Sequence, residues 1–407
     1  MNSLKMLMSI AILTPMGDPR TVRNRWGAPF VLVGEPGTGK TSFIAQVAER
    51  MELMSETMYL SAHPPEDLSG IPVVHDGKGT LINFVPQIAR LVEVGSGILN
   101  LDELTTARES TQNAAMNLVL ERTIAGARMA PRIRVVGAAN PPEQAAGARD
   151  LSPPAANRFL HFESRPLTLE QWAEHERHKS LPDGTLPPPY KEEHDICTAE
   201  EGERRVTANW AYAHSKQVTM VAAFHESAAG LLQKLPPVGS ASRGHAWASA
   251  RSWSMATATM ATASALAHEE CSLDLLTAAV GVEAATAYAE WLAHFDLPKP
   301  EEVLDGSWRP SKLRLDIATT AYSATVLYVL NTRDTKNKIA HADRLWTAIY
   351  QGGTKYGLMD IVKPIASDLV SRGLSRDPNN GKMLAAAEKL LNEIGVKGHG
   401  DFPEKAP

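Results

Sequence analysis

Cysteine is almost missing from this chain, with only Cys197 and Cys271 in 407 residues. Two thiols cannot build a disulfide framework, so a reducing, cytoplasmic setting is expected. An excess of basic residues is lacking too. The formal net charge is −5, and a dedicated nucleic-acid domain would show a basic stripe or tail. No run approaches the ~20 apolar residues needed to span a bilayer. One short apolar run, Met6 to Leu13 after Lys5, has the look of a signal h-region. No small-x-small cleavage site follows it, and it is expected to be a helix packed on the core. Internal repeats and long low-complexity tracts are not found.

What is present describes a globular chain of two or three domains. Hydrophobic residues make up 43% and charged residues 21%, in the range of soluble proteins. Over residues 1–163 short apolar runs alternate with helical patterns, which predicts a parallel α/β sheet. The runs are Phe30–Val33, Met58–Leu60, Ile98–Leu101, Ile133–Val136 and Arg158–Phe162. Beyond residue 165, Ala-rich stretches with helical spacing take over, such as Ser242–Glu270 and Leu273–Phe295. A helical lid is expected over 164–298, with an insertion around 178–205 that includes the proline-rich break Leu181–Pro189. Residues 299–407 are expected to form a C-terminal helical extension with a loose tail.

Four segments carry chemistry. Gly34-Glu-Pro-Gly-Thr-Gly-Lys-Thr41 fits the phosphate-loop pattern G-x-x-x-x-G-K-[ST] without a mismatch. It follows an apolar run and opens a helix whose buried face would be Ile44, Val47, Ala48 and Met51. Its glycines let backbone N–H groups curl around phosphates, and the helix N-terminus adds partial positive charge. The candidate ATP-binding residues are Gly34, Glu35, Pro36, Gly37, Thr38, Gly39, Lys40, Thr41 and Ser42. Lys40 would meet the β and γ phosphates, and Thr41 would give its hydroxyl to Mg2+. The second segment, Gly97–Glu103, is an apolar strand ending in two carboxylates. Such charges are expensive unless they meet a cation. Asp102 would hold magnesium through water and Glu103 would polarise the attacking water, although an acidic helix cap would leave the same letters. In the third, Val135–Asn140, a strand emerges at Asn140, near a γ phosphate or the attacking water; a plain turn before Pro141 is the competing reading. In the fourth, Arg158 could reach a neighbouring subunit's ATP as an arginine finger. An internal salt bridge is its competitor, and Arg149 is the rival finger.

Together these segments resemble the AAA+ superfamily, and specifically its MoxR-type branch. The phosphate loop has the form common in that branch. Ala138-Ala-Asn-Pro141 is similar to its sensor segment. Ser240-Ala-Ser-Arg243 before Trp247 is similar to its second sensor, with Ser242 where a proline is usual, and so adds Arg243 to the nucleotide-binding set. Val280–Tyr288 and Trp291 resemble the end of its lid. The resemblance implies an AAA+ P-loop fold with a five-stranded parallel sheet, a helical lid and ATP hydrolysis with Mg2+. It implies a homo-oligomeric ring, most commonly a hexamer, that remodels a partner, often a protein with a von Willebrand A domain. It also implies a helix insert at about 63–90, opening near Asp67-Leu-Ser-Gly70, and a hairpin at Glu121–Arg134. No aromatic pore-loop signature is apparent.

Two readings compete at the margins. A nucleic-acid-directed motor would draw on Arg122, Arg128, Arg132 and Arg134 around that hairpin, against the acidic overall balance. His175-x2-His178 and His194-x2-Cys197 have zinc-like spacing, yet Glu and Lys crowd both segments as they would on solvated helix faces.

Overall fold

Five runs become strands. Four of them are rich in Val, Ile, Leu or Phe, and the other, Ser55-Glu-Thr-Met-Tyr59, relies on Thr and Tyr, which also favour strands. In a computed structural model they are β1 (Phe30–Gly34), β2 (Ser55–Tyr59), β5 (Ser96–Asp102), β8 (Arg132–Ala139) and β9 (Leu160–Ser164). Between them lie two small hairpins, β3 (Ile71–His75) with β4 (Gly79–Asn83) and β6 (Thr123–Ile124) with β7 (Ala127–Arg128). The structure describes the chain except residues 1–3, 22–23, 76–78, 125–126, 145–148, 167, 170–195, 239, 294–297, 313, 333, 372–373, 375–384 and 394–407.

The main sheet is wholly parallel, in the order β2-β5-β8-β1-β9. Its central strands are buried on both faces, as near-continuous apolar runs require. Helix α1 (Leu4–Ile12) is the apolar run near the N-terminus. Met6 through Ile12 are buried in it, and it packs on α2 (Lys40–Arg50). On α2 the buried face is Ile44, Val47 and Ala48, closed by Met51 just beyond its end, as the spacing predicts. After β2 the chain runs through α3 (Pro65–Ser69), the β3–β4 hairpin and α4 (Pro86–Val94). The expected helix insert at 63–90 is thus a single short helix followed by a hairpin. Ile71, Val73, Val74, Thr80 and Ile82 are β-branched, and Gly79 pairs with His75 at the end of the ladder. The hairpin expected over Glu121–Arg134 is β6–β7, placed between α5 (Glu109–Glu121) and β8. Helix α6 (Pro153–Ala156) precedes β9.

The remainder is helical. The chain continues through α7 (Ala199–Ser227), α8 (Ala250–Leu266), α9 (Ser272–Val280) and α10 (Val282–Ala293). It then forms α11 (Pro300–Asp305), α12 (Leu315–Asn331), α13 (Thr335–Thr354), α14 (Met359–Ser371) and α15 (Ala385–Glu393). Two compact units result. One comprises residues 1–214 with 230–287, and the other 215–229 with 288–407. The second has its own core, built around Tyr322, Leu345, Trp346, Ile349, Val362 and Leu390. Trp346 is fully buried, and its indole N–H donates to the carbonyl of Leu374 at 2.9 Å. No described helix is long and apolar enough to cross a membrane.

Arginines around the β6–β7 hairpin are mostly structural. Arg122 is buried with a left-handed backbone at φ 50°. Its guanidinium donates to the carbonyls of Val119, Gly27 and Ile133. Arg134 is also buried, bonded to the Glu203 carboxylate of α7. Arg132 meets the other Glu203 oxygen at 2.9 Å, as a charge contact rather than an aligned hydrogen bond. Of the four arginines invoked for nucleic acid, Arg122 and Arg134 are therefore committed inside the fold. Arg134 and Glu203 keep 1% and 6% of their side-chain surface. Glu203→Ala leaves a buried guanidinium uncompensated and should cost about 3–5 kcal/mol, read by urea denaturation, while Arg128→Ala should be near neutral.

Candidate functional site

The site follows from strand order. β8 lies between β1 and β5, so the carboxyl ends of these three strands are neighbours. Residues far apart in the chain meet there, at the end of a parallel sheet where ligands of such folds bind. β1 delivers the phosphate loop, β5 delivers Asp102 and Glu103, and β8 delivers Asn140.

Backbone geometry explains the motif's three glycines differently. Gly37 and Gly39 have φ of 81° and 78°, a region L side chains rarely adopt. Gly34 has no such need. A Cβ there would sit 2.4 Å from the carbonyl oxygen of Ser164 on β9, so this glycine is required by strand packing. Gly39 caps α2, and the N–H groups of its first turn face the loop.

Lys40 is buried, and its ammonium donates to the carbonyls of Gly34 and Glu35 at 2.7 and 2.8 Å and to Oδ1 of Asn140 at 2.7 Å. Burial pushes its pKa down, and the nearby Asp102 carboxylate opposes that shift. Thr41 Oγ1 donates to Asp102 Oδ2 at 2.5 Å, and Asp102 Oδ1 accepts the backbone N–H of Glu103 at 2.8 Å. Thr41 and Asp102 thus bring hard oxygen ligands together, the donor set that magnesium prefers. Glu103 has a left-handed backbone, φ 57°. A non-glycine residue held this way is strained, and such strain clusters at functional sites. The strain turns its side chain toward Ser61, whose hydroxyl donates to Oε2.

Several contributors were not visible beforehand. Ser61 lies in the turn after β2, and no spacing rule marks it. Thr105 Oγ1 donates to the Asn140 carbonyl at 2.9 Å, and Gln144 Nε2 donates to Glu35 Oε1 at 2.9 Å, bridging the two strand-end loops. Polar residues after strands are common, so neither letter stands out without the fold.

The expected arginines fall in three places. Arg158 lies at the end of α6, half-buried, with its Nε buried and without a partner. No ion pair holds it among the described residues, so the internal salt bridge is not formed among them. Burial lowers its pKa, Arg251 on α8 adds to that, and Glu121 opposes it. Arg149 is exposed, its backbone N–H on the Thr105 carbonyl at 3.0 Å. Arg243 donates through Nε to the carbonyl of Pro236 at 2.9 Å, within its own loop. It is not joined by a hydrogen bond to the phosphate loop among the described residues. Of the zinc candidates, His175, His178 and His194 lie outside the described residues. Cys197 is half-buried, and burial raises its thiol pKa.

Residues 29–159 match the family model of the AAA domain, dynein-related subfamily. The chain therefore carries an AAA ATPase domain, an α/β fold with a five-stranded parallel sheet, followed by helices. No curated protein matches the chain. Among solved structures, it is similar to a candidate ATPase from Cytophaga hutchinsonii at 17% identity, covering 72% of this chain and 89% of that one, with a TM-score of 0.45. Similarity at that level adds nothing to the reading of the site.

The packing role of Gly34 can be separated from nucleotide contact. Gly34→Ala should lower stability in the absence of ATP by about 1–3 kcal/mol, the range for overpacking a tight site. Gly37→Ala, where a Cβ meets open space, should instead cost only the strain of its positive φ. Paired denaturation curves without nucleotide read the difference.

Proposed function

We propose that this chain is a magnesium-dependent ATPase of the MoxR-like kind that works as a ring and uses hydrolysis to remodel a partner protein. The observation that carries the reading is the meeting of Lys40, Asn140, Thr41, Asp102 and Glu103 at three adjacent strand ends. Lys40 supplies a buried cation at the mouth of a glycine-rich loop, which suits the β and γ phosphates of ATP. Thr41 and Asp102 would hold magnesium, which when bound neutralises charge on the phosphates. Glu103 would orient and deprotonate the attacking water. Asn140 already bonds the ammonium of Lys40 and would act beside the γ phosphate.

Arg158 supports the ring. A half-buried guanidinium with no ion pair among the described residues, and only the more distant Glu121 charge to offset its burial, is costly unless an anion reaches it from outside. A neighbouring subunit's triphosphate is such an anion. Arg243, in the helical segment, would report the state of the nucleotide to the lid. The hexamer and a client with a von Willebrand A domain rest on the family resemblance. A reducing, cytoplasmic setting fits two cysteines that are both free thiols.

Glu103→Gln keeps the shape of the side chain but removes its basicity. Turnover should drop by about 10²–10⁴, the usual share of a general base, while ATP affinity measured by calorimetry stays close to the parent's. Turnover at the parental rate would reduce Glu103 to a structural residue. Arg158→Ala should bind ATP normally and hydrolyse it about 10³-fold more slowly or worse. Mixed with Lys40→Ala, which cannot bind ATP, it should recover activity, because one interface then joins an intact phosphate loop to an intact Arg158. Full activity from a species that stays monomeric in light scattering would overturn the ring.

A further inference from the structure

Arg158 has no side-chain partner among the described residues to aim it, so the backbone on either side sets where it starts from. On one side Phe159 is fully buried in the sheet core. On the other, Asn157 is 4% exposed and commits both ends of its carboxamide to a single segment of the helical region. Nδ2 donates to the Trp247 carbonyl at 3.0 Å, and Oδ1 accepts the Ser249 hydroxyl at 2.6 Å. The Trp247 indole N–H returns to the Pro153 carbonyl of α6 at 3.2 Å. Trp247 and Ser249 follow directly on the turn that carries Arg243. Ser249 also caps α8, in a reciprocal pair with Ser252. The clamp is therefore rooted at a helix start rather than on a loose loop. A second point of contact lies nearby, where a Cβ on Gly244 would sit 3.0 Å from the Asp150 side chain, closer than side chains usually approach.

We infer that Asn157 is a positioning residue for Arg158, and that through it the lid segment of each subunit sets the cation offered to the neighbouring subunit's ATP. The inference rests on the reading of Arg158 as acting in trans. Its chemistry is specific to a carboxamide. One buried side chain donates to a carbonyl and accepts from a hydroxyl on the same segment. Ser252 also bonds both of those atoms, so losing the carboxamide loosens α6 from the segment without leaving either atom unpaired. A shift of that segment, which also holds Arg243, then moves the peptide leading into Arg158. Displacements near 1 Å are enough to cost about 10²-fold in a catalytic geometry.

The test is complementation between full-length variants, with ATP hydrolysis and ATP affinity as readouts. Asn157→Ala alone should bind ATP as the parent does and turn it over about tenfold more slowly or worse. Its phosphate loop is intact and only its Arg158 is misplaced. Mixing it with Lys40→Ala should therefore restore activity, and mixing it with Arg158→Ala should not. Parental turnover by Asn157→Ala overturns the inference. So does rescue by Arg158→Ala, which would put the defect in the variant's own ATP site. Failure of both mixtures, while the Arg158→Ala and Lys40→Ala pair complements, would make Asn157 mere packing and also overturn it. If that control pair fails, the trans reading falls and this inference with it. Should Asn157→Ala not fold, the near-isosteric Asn157→Asp gives the same contrast, since it keeps the acceptor for Ser249 and sets a carboxylate against the Trp247 carbonyl.

Discussion

The hydrogen bonding of β8 between β1 and β5 is the constraint from which the site follows. β5 and β8 follow one another in the sheet, but β1 pairs with β8 across about a hundred residues of intervening chain. The sheet is completed by strands separated by whole helices, so residues distant in sequence end side by side at the carboxyl edge. The bond from Lys40 to Asn140 and that from Thr41 to Asp102 are consequences of this pairing. Packing enforces it. Gly34 lets β1 approach β9, and Gly97 lets β5 pass Leu91 and Met54, positions where a Cβ would collide with its neighbours.

Arginine illustrates how one residue type divides by environment. Arg122 spends its donors on three backbone carbonyls, and Arg134 spends its charge on Glu203. Both hold the β6–β7 region to the body of the domain. Arg158 has neither kind of partner among the described residues, which is why it is the arginine proposed to meet ATP. Its neighbour Asn157, a residue of no obvious distinction, is bound at both ends to the segment around α8. A buried tether and a cation without an ion pair among the described residues thus sit next to each other in the chain and are told apart only by what surrounds them.

Much of the fold was legible from local pattern. The five apolar runs and the helix after the phosphate loop, with its buried face of Ile44, Val47, Ala48 and Met51, follow from periodicity and glycine placement, while the β6–β7 hairpin was implied by the family resemblance. The insert expected at 63–90 holds a short helix, α3, and also the β3–β4 hairpin, which the resemblance did not include. Ile71-Pro-Val-Val74 and Thr80-Leu-Ile82 are β-branched and apolar, which favours paired strands.

By itself the amino-acid sequence determined the α/β class, the phosphate loop and the acidic strand end, because these rest on short-range rules. Glycine is needed where φ is positive, apolar alternation makes strands, and carboxylates close to a cation site stand together in the chain. The tertiary structure alone decided that Asn140 reaches Lys40, that Ser61 holds Glu103, that Arg122 and Arg134 are buried while Arg158 is unpaired, and that Asn157 ties α6 to the segment before α8. Each of these depends on contacts between residues tens to a hundred positions apart. Their existence is set by strand order and helix packing, which no local pattern encodes.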